Sequence, residues 1–476
     1  MPKPTAAFVD HLGQAWRYLQ ETPVAKRRLR RSAFALCFGA ASLAVLVPAV
    51  VSVEPTATKL VASDAEAADG FGFDVALDAD TLLVGAPLTD SGRVYFYRLN
   101  ELTLTWQEIA NVVATDAQTA AEFGGSVAIA GDTAWVGADL DNEKALAAGA
   151  AYAFRFDGTN WSQEEKLTAS DGQAADSFGF AVAVTGDTAL VGAVQDDDEL
   201  AGLTNSGSAW VFRYNAITTS WDEEQKLTAS DAQSGDEFGG AVALSGDTAV
   251  VGAELHETET GAAYIFRYNA MTMSWDEEQK LTASDAAFGD GFGFAVAVDG
   301  DTAVVGAYRD DAPASGLDSG AAYIFLFDGT EWIEQTKLTA SDAEQFDRFG
   351  YAVAIRGDTI VVGANQDAAA ATALNSGAAY IFLFDGTDWI EQTKLAPADL
   401  QDDDRFGVSV ALSADTAAVG AYQADAPDVD SGAVYVFTPV PEPAPQLLAA
   451  SALAALAFLS RRSRRLRFLG SREEAL

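Results

Sequence analysis

The chain has 476 residues, with 29 Lys plus Arg against 70 Asp plus Glu and a formal net charge of −41. A hydrophobic content of 49% excludes wholesale disorder despite that charge, and the charge argues against nucleic-acid backbones and anionic membrane surfaces as partners of the main body. The single cysteine, Cys37, excludes a disulfide framework and a cysteine-based zinc site.

The basic residues gather near the two ends. At the front, Lys26, Arg27, Arg28, Arg30 and Arg31 precede an apolar run over residues 33–53. Positive charge held in the cytoplasm ahead of an apolar core that enters the bilayer is the physics of an export signal. Ala49, in Val-Pro-Ala, supplies a small residue for cleavage. An uncleaved anchor helix is the alternative, since such a run can just span a bilayer. Residues 1–52 are thus expected to be a basic segment and export signal, helical in its apolar part.

Residues 53–439 repeat one unit seven times. A Phe-Gly pair begins at Phe71, Phe123, Phe178, Phe238, Phe292, Phe349 and Phe406, and a Gly-Ala pair follows at Gly85, Gly137, Gly192, Gly252, Gly306, Gly363 and Gly420. The distance from glycine to glycine is 13 residues in every copy. A Lys stands 12 residues before each Phe, with Asn111 in its place once. Strict spacing in one half of a unit and drift in the other is the signature of a packed inner part with free loops.

One copy shows the strands. Two alternating, β-branched runs at 292–298 and 302–307 flank the turn Asp299-Gly300-Asp301, a hairpin signal. A third run at 320–327 turns through Asp328-Gly329-Thr330 into a fourth at 331–339. Seven such units predict an all-β fold, a seven-bladed β-propeller of four-stranded antiparallel blades. Small Ala and Val suit its crowded inner strands, and the aromatics are expected to fill the wedges between blades. Only six fourth strands follow a third strand, and Thr58-Lys59-Leu60-Val61-Ala62-Ser63-Asp64 matches the tail of that strand in other copies. An N-terminal outer strand is therefore expected to close the ring, which removes exposed sheet edges.

The units resemble FG-GAP repeats, the blades of the integrin α-subunit propeller and of many bacterial surface proteins, over residues 56–438. The resemblance implies binding through one loop face. It also marks a departure, because calcium-binding blades of that family carry an Asp-x-Asp-x-Asp-Gly type loop between the first two strands. Here that connection is a short turn, as in Thr185-Gly186-Asp187 or Ser245-Gly246-Asp247, without room for five or more ligands. The family's calcium sites are not carried over.

At the far end, Val440-Pro441-Glu442-Pro443 is followed by an apolar stretch over 447–459 and an arginine cluster beginning at Arg461. Thirteen residues fall short of a comfortable membrane span. The order Pro441-Glu442-Pro443, short apolar helix, arginines resembles the PEP-CTERM sorting signal of Gram-negative bacteria. It implies an exosortase-type sorting enzyme as a partner, transient membrane contact through the two ends, and delivery to the cell surface or an extracellular polysaccharide matrix. Residues 440–476 form this tail.

Catalytic chemistry has few carriers. The body holds one histidine, His256, in a variable loop, which reads as a surface residue rather than a general base. Asp pairs five apart precede most Phe-Gly pairs, such as Asp285 and Asp290, and read as turn caps bonding their own backbone. The loops after Gly-Ala are the most acidic, and Asp196, Asp197, Asp198, Asp310, Asp311, Asp367 and Asp425 are the candidate ligand-binding residues. No cofactor is required, although such oxygen-rich loops could hold Ca²⁺. The expected function is non-catalytic binding or adhesion by an exported, monomeric propeller that meets a polysaccharide or a surface protein. A ligand-free matrix component and a polysaccharide- or lipid-active enzyme are the alternatives.

Overall fold

The computed structural model describes residues 55–438 apart from residues 101, 199–200, 312–315, 369–373 and 427. Ala49, the motif Pro441-Glu442-Pro443 and the helical segments expected at both ends lie outside the described residues. Among the described residues, 28 strands form seven four-stranded antiparallel sheets, the blades of a β-propeller. A short helix, His256–Glu259, is the one regular departure.

In the fifth blade, Phe292–Asp299 pairs with Thr302–Ala307, which pairs with Ala321–Phe327, which pairs with Trp332–Leu338. The first turn is Gly300-Asp301, and Gly300 has φ +58°, the left-handed conformation that a two-residue hairpin demands. Burial follows rank in the blade. First strands line the axial channel and stay half-buried, second strands such as Thr359–Ala364 are buried throughout, and fourth strands such as Trp332–Leu338 alternate with solvent.

Cores lie between blades rather than within them. Phe292 is fully buried and meets Tyr323 edge-on at 5.4 Å and Phe325 at 6.0 Å. The other six Phe-Gly phenylalanines are at most 1% exposed, so the motif's aromatics are core. The glycines explain the fixed spacing. A Cβ on Gly252 would lie 1.9 Å from the Gly293 carbonyl oxygen, and Gly85, Gly137, Gly192, Gly306, Gly363 and Gly420 meet the next Phe-Gly glycine the same way. Each Gly-Ala glycine is thus a backbone-to-backbone contact between neighbouring blades.

The ring closes as expected. Thr56–Leu60 pairs antiparallel with Ala433–Thr438 in the register Thr56↔Thr438 to Leu60↔Val434. The wedge behind it joins Leu60, Val434 and Val436 to Phe71, Leu82 and Tyr95, and Gly420 meets the carbonyl of Gly72. One feature was not visible in the sequence. In six blades the third and fourth strands slip by one residue. In three of them the bulged residue is Glu164, Glu224 or Glu278, which the bulge turns toward Arg155, Arg213 or Arg267 at 3.0–3.1 Å.

Candidate binding site at the mouth of the channel

The loop acids divide into two groups. Asp196, Asp310 and Asp367 stand four residues after the glycine of Gly-Ala and are at most 5% exposed. Each faces a fourth-strand lysine of its own blade: Lys226 at 2.6 Å, Lys337 at 2.8 Å and Lys394 at 2.8 Å. Asp310 and Asp367 also accept from the hydroxyls of Tyr323 and Tyr380 at 2.6 Å. The second group ties its own loops, Asp197 accepting from the Asn205 N–H, Asp198 from Ala201, Asp311 from Asp318 and Asp425 from Asp430. Every one of the seven is held by partners of its own blade, and none of these bonds joins two of them.

His256 corrects a sequence expectation. It occupies the same position four residues after Gly252, so it is buried at 1% exposure instead of lying on the surface. Its Nδ1 lies 2.7 Å from Asp236 and its Nε2 accepts from the Lys280 ammonium at 2.6 Å, which replaces the carboxylate of other blades with an imidazole.

The paired aspartates divide likewise. The second member is a turn cap, as expected: Asp290 accepts from the Ala287 N–H and Asp236 from Gln233, both at 2.7 Å. The first member does more. Asp285 takes Lys337 at 2.8 Å and the Tyr323 hydroxyl at 2.7 Å, and Asp342 takes Lys394 and Tyr380 at 2.8 Å. Where Asn111 replaces the lysine, Arg93 reaches Asp64 at 3.2 Å instead. The repeated Lys therefore locks six of the blades to the connection that enters each. Among the described residues, no three acidic or histidine side chains converge in a metal-binding arrangement.

What does not repeat is the mouth of the axial channel. The seven blades converge there around a cavity of about 350 Å³ whose wall includes Phe73, Phe294, Tyr351 and Tyr422. Its rim is set by two positions, the residue before each Phe-Gly and the second residue after each Gly of Gly-Ala. The first position holds Glu122 and Glu237 on one side and Arg348 and Arg405 on the other, all at positive φ. The second holds Asp139 and Glu254, then Tyr308, Asn365 and Tyr422. An aromatic cluster joins the basic side, with Phe294 4.3 Å from Tyr308 and 4.8 Å from Tyr351, and with Arg348 lying 5.5 Å over Tyr308. On the acidic side, Phe180, Val194 and Phe294 line a cleft of about 110 Å³ with Glu237 and Glu254. Sequence reasoning missed this mouth because it followed what recurs. The signal was the set of unlike residues flanking the recurring pairs.

A family model described as FG-GAP repeat matches residues 56–97, 106–154, 161–212, 221–266, 275–325, 332–382 and 389–437. The chain belongs to the FG-GAP repeat family. No curated protein matches it significantly over its length. In six of these seven FG-GAP repeats the connection between the first two strands is a two-residue turn, as at Gly186-Asp187 between Thr185 and Thr188, and in the seventh four residues separate Leu412 from Ala417.

The rim of the FG-GAP propeller strains its carboxyls. Burial, reinforced by Glu122, pushes Asp139 up to about 7, and burial does the same to Glu254, whose Oε2 has no hydrogen-bond partner. Asp347 rises to about 7 through burial and Asp367. Raised acids penalise the folded state above their folded pKa, and the penalty vanishes below the ordinary carboxyl range. Asp285 and Asp342 act oppositely, because Lys337 and Lys394 with their tyrosines outweigh desolvation and hold them low. Their stabilisation is present above the unfolded value and lost as pH falls through the folded one. Thermal melts should therefore show stability rising as pH drops from 8 to about 5 and falling again below about 4.

Proposed function

We propose that this FG-GAP propeller is a non-catalytic binding module of an exported bacterial surface or matrix protein, and that it meets its ligand at the channel mouth. The observation that carries this reading is the break in sevenfold symmetry. A ring of equivalent blades needs no unlike charges at its rim, yet carboxylates, arginines and tyrosines there occupy equivalent positions in different blades. Concave, partly aromatic sites with a few placed polar groups are where small ligands bind. The export address is supported by the basic and apolar segment at 26–53 and by the Pro441-Glu442-Pro443 tail. A sorting enzyme would process that tail, and the ligand would be a polysaccharide or a surface protein.

The test is glycan-array and cell binding by the purified full-length protein, with Ca²⁺ and with chelator. Two variants are compared, Phe294→Ala with Tyr351→Ala at the mouth, and Asn at Asp197, Asp198, Asp311 and Asp425 in the loops. The mouth variant is expected to lose binding while the loop variant keeps it. Binding lost only in the loop variant would move the site outward, and no binding by the parent protein would leave a structural matrix component.

A further inference from the structure

The two arginines of the rim share one acceptor. The Gln366 amide, with its carbonyl turned to them, accepts from Arg405 Nη1 at 2.7 Å and from Arg348 Nη1 at 2.9 Å. Two guanidinium groups thus converge on one neutral oxygen. Six other described arginines face carboxylates, among them Arg155 with Glu164, Arg213 with Glu224 and Arg267 with Glu278. Among the described residues no ion pair involves Arg348, and Arg405 has only the exposed Asp403 at 3.5 Å. Each guanidinium has five N–H donors in a planar fork that suits a carboxylate, so one shared amide oxygen leaves most of them unmatched.

Their backbone is a second observation. Arg348 and Arg405 both sit at φ +61°, while glycine fills the equivalent positions at Gly70 and Gly291. Glycine would relieve that conformation, so the backbone gains nothing from arginine there. The aromatic wall is a third. Tyr351 lies 4.8 Å from Phe294 and 5.6 Å from Tyr308, and Arg348 lies 5.5 Å over the Tyr308 ring, which sets the cationic pair beside an aromatic face of the mouth.

We propose that this side of the mouth binds the uronate unit of an acidic saccharide, its carboxylate received by Arg348 and Arg405 and its ring set against Tyr351 and Phe294. The inference rests on the binding-module reading and names its ligand class. Charge-assisted forks supply the anion contact, and the aromatic wall calls for a ring with an apolar C–H face, which an inorganic anion lacks. The cavity of about 350 Å³ falls within the range of small-ligand sites. Glu254, whose Oε2 is buried without a hydrogen-bond partner, lines the adjoining cleft that Phe294 shares. The overall negative charge does not forbid this, because at physiological salt fields are screened beyond about 8 Å.

Calorimetric titration of the full-length protein with trigalacturonate, galactotriose and inorganic phosphate tests it. Trigalacturonate is expected to bind at least tenfold more tightly than galactotriose, and increasingly weakly as salt rises. The double change Arg348→Gly with Arg405→Gly should weaken trigalacturonate at least tenfold while the melting temperature holds or rises. Arg348→Gln with Arg405→Gln repeats the test with side-chain length kept. Tyr351→Ala should weaken trigalacturonate and leave phosphate unchanged. Equal binding of the neutral and acidic trisaccharides overturns the arginine assignment, and phosphate binding as tightly as trigalacturonate overturns the saccharide. No binding of trigalacturonate overturns the inference outright. In that event, mouth-dependent binding on the glycan array would leave the module reading standing, whereas a blank array would remove both.

Discussion

Removing residues 56–62 should lower the melting temperature by about 10 °C or more and broaden the transition. The deletion takes away the fourth strand of the seventh blade, with its five register pairs to Ala433–Thr438. At about 0.5–1.5 kcal/mol net for each lost hydrogen bond and about 2 kcal/mol for the lost burial of Leu60, the loss is about 5 kcal/mol. The Lys59–Asp399 ion pair of 3.0 Å goes too, but it is largely exposed and adds little. The greater consequence is topological. An unpaired edge at Ala433–Thr438 offers a template for association, so the truncated protein should also aggregate on heating. Differential scanning calorimetry and light scattering read both effects, and an unchanged melt would mean that the ring does not depend on this strand.

Gly252→Ala should destabilise by about 4 kcal/mol or more, which is beyond the ordinary range for a single methyl group. Gly252 is not in the left-handed region, so alanine meets no backbone penalty there. The whole effect comes from its Cβ arriving 1.9 Å from the Gly293 carbonyl oxygen, with backbone rather than a flexible side chain in the way. The fourth and fifth blades would have to part. Gly246→Ala is the control. That glycine has φ +56° and nothing within 4 Å of its would-be Cβ, so the cost is the left-handed conformation alone, about 1 kcal/mol. Urea titration of the two variants should separate them clearly. Equal costs would mean that the blades do not approach as closely as the glycine contacts require.

The blade order and the closure were legible because both rest on local chemistry. Turn glycines, alternating apolar runs and the 13-residue interval are written along the chain, and the interval is constant because it spans a hairpin whose two ends both contact neighbouring blades. The match of residues 58–64 to other fourth strands gave the closure in the same way. The Lys–Asp–Tyr locks were not legible. Lys337 and Asp285 are 52 residues apart in the chain and meet only because the blade folds back on the connection that enters it. The acid loops misdirected attention because a run such as Asp196-Asp197-Asp198 looks solvated, whereas the position four after Gly192 points inward. His256 obeys the same register, which the sequence contained but composition hid. The mouth was hidden for the opposite reason, since Arg348 and Arg405 resemble nothing in the other copies.

The central claim is that recognition belongs to the unlike residues around the axis and not to the acidic outer loops. Hydrogen–deuterium exchange of the full-length protein, with and without saturating trigalacturonate, tests it most directly. Slowed exchange is expected in the segments around Phe294, Tyr351 and Arg405, with the loops at Asp196–Asp198 and Asp425 unchanged. Protection confined to those outer loops, or spread equally over all seven blades, would contradict it.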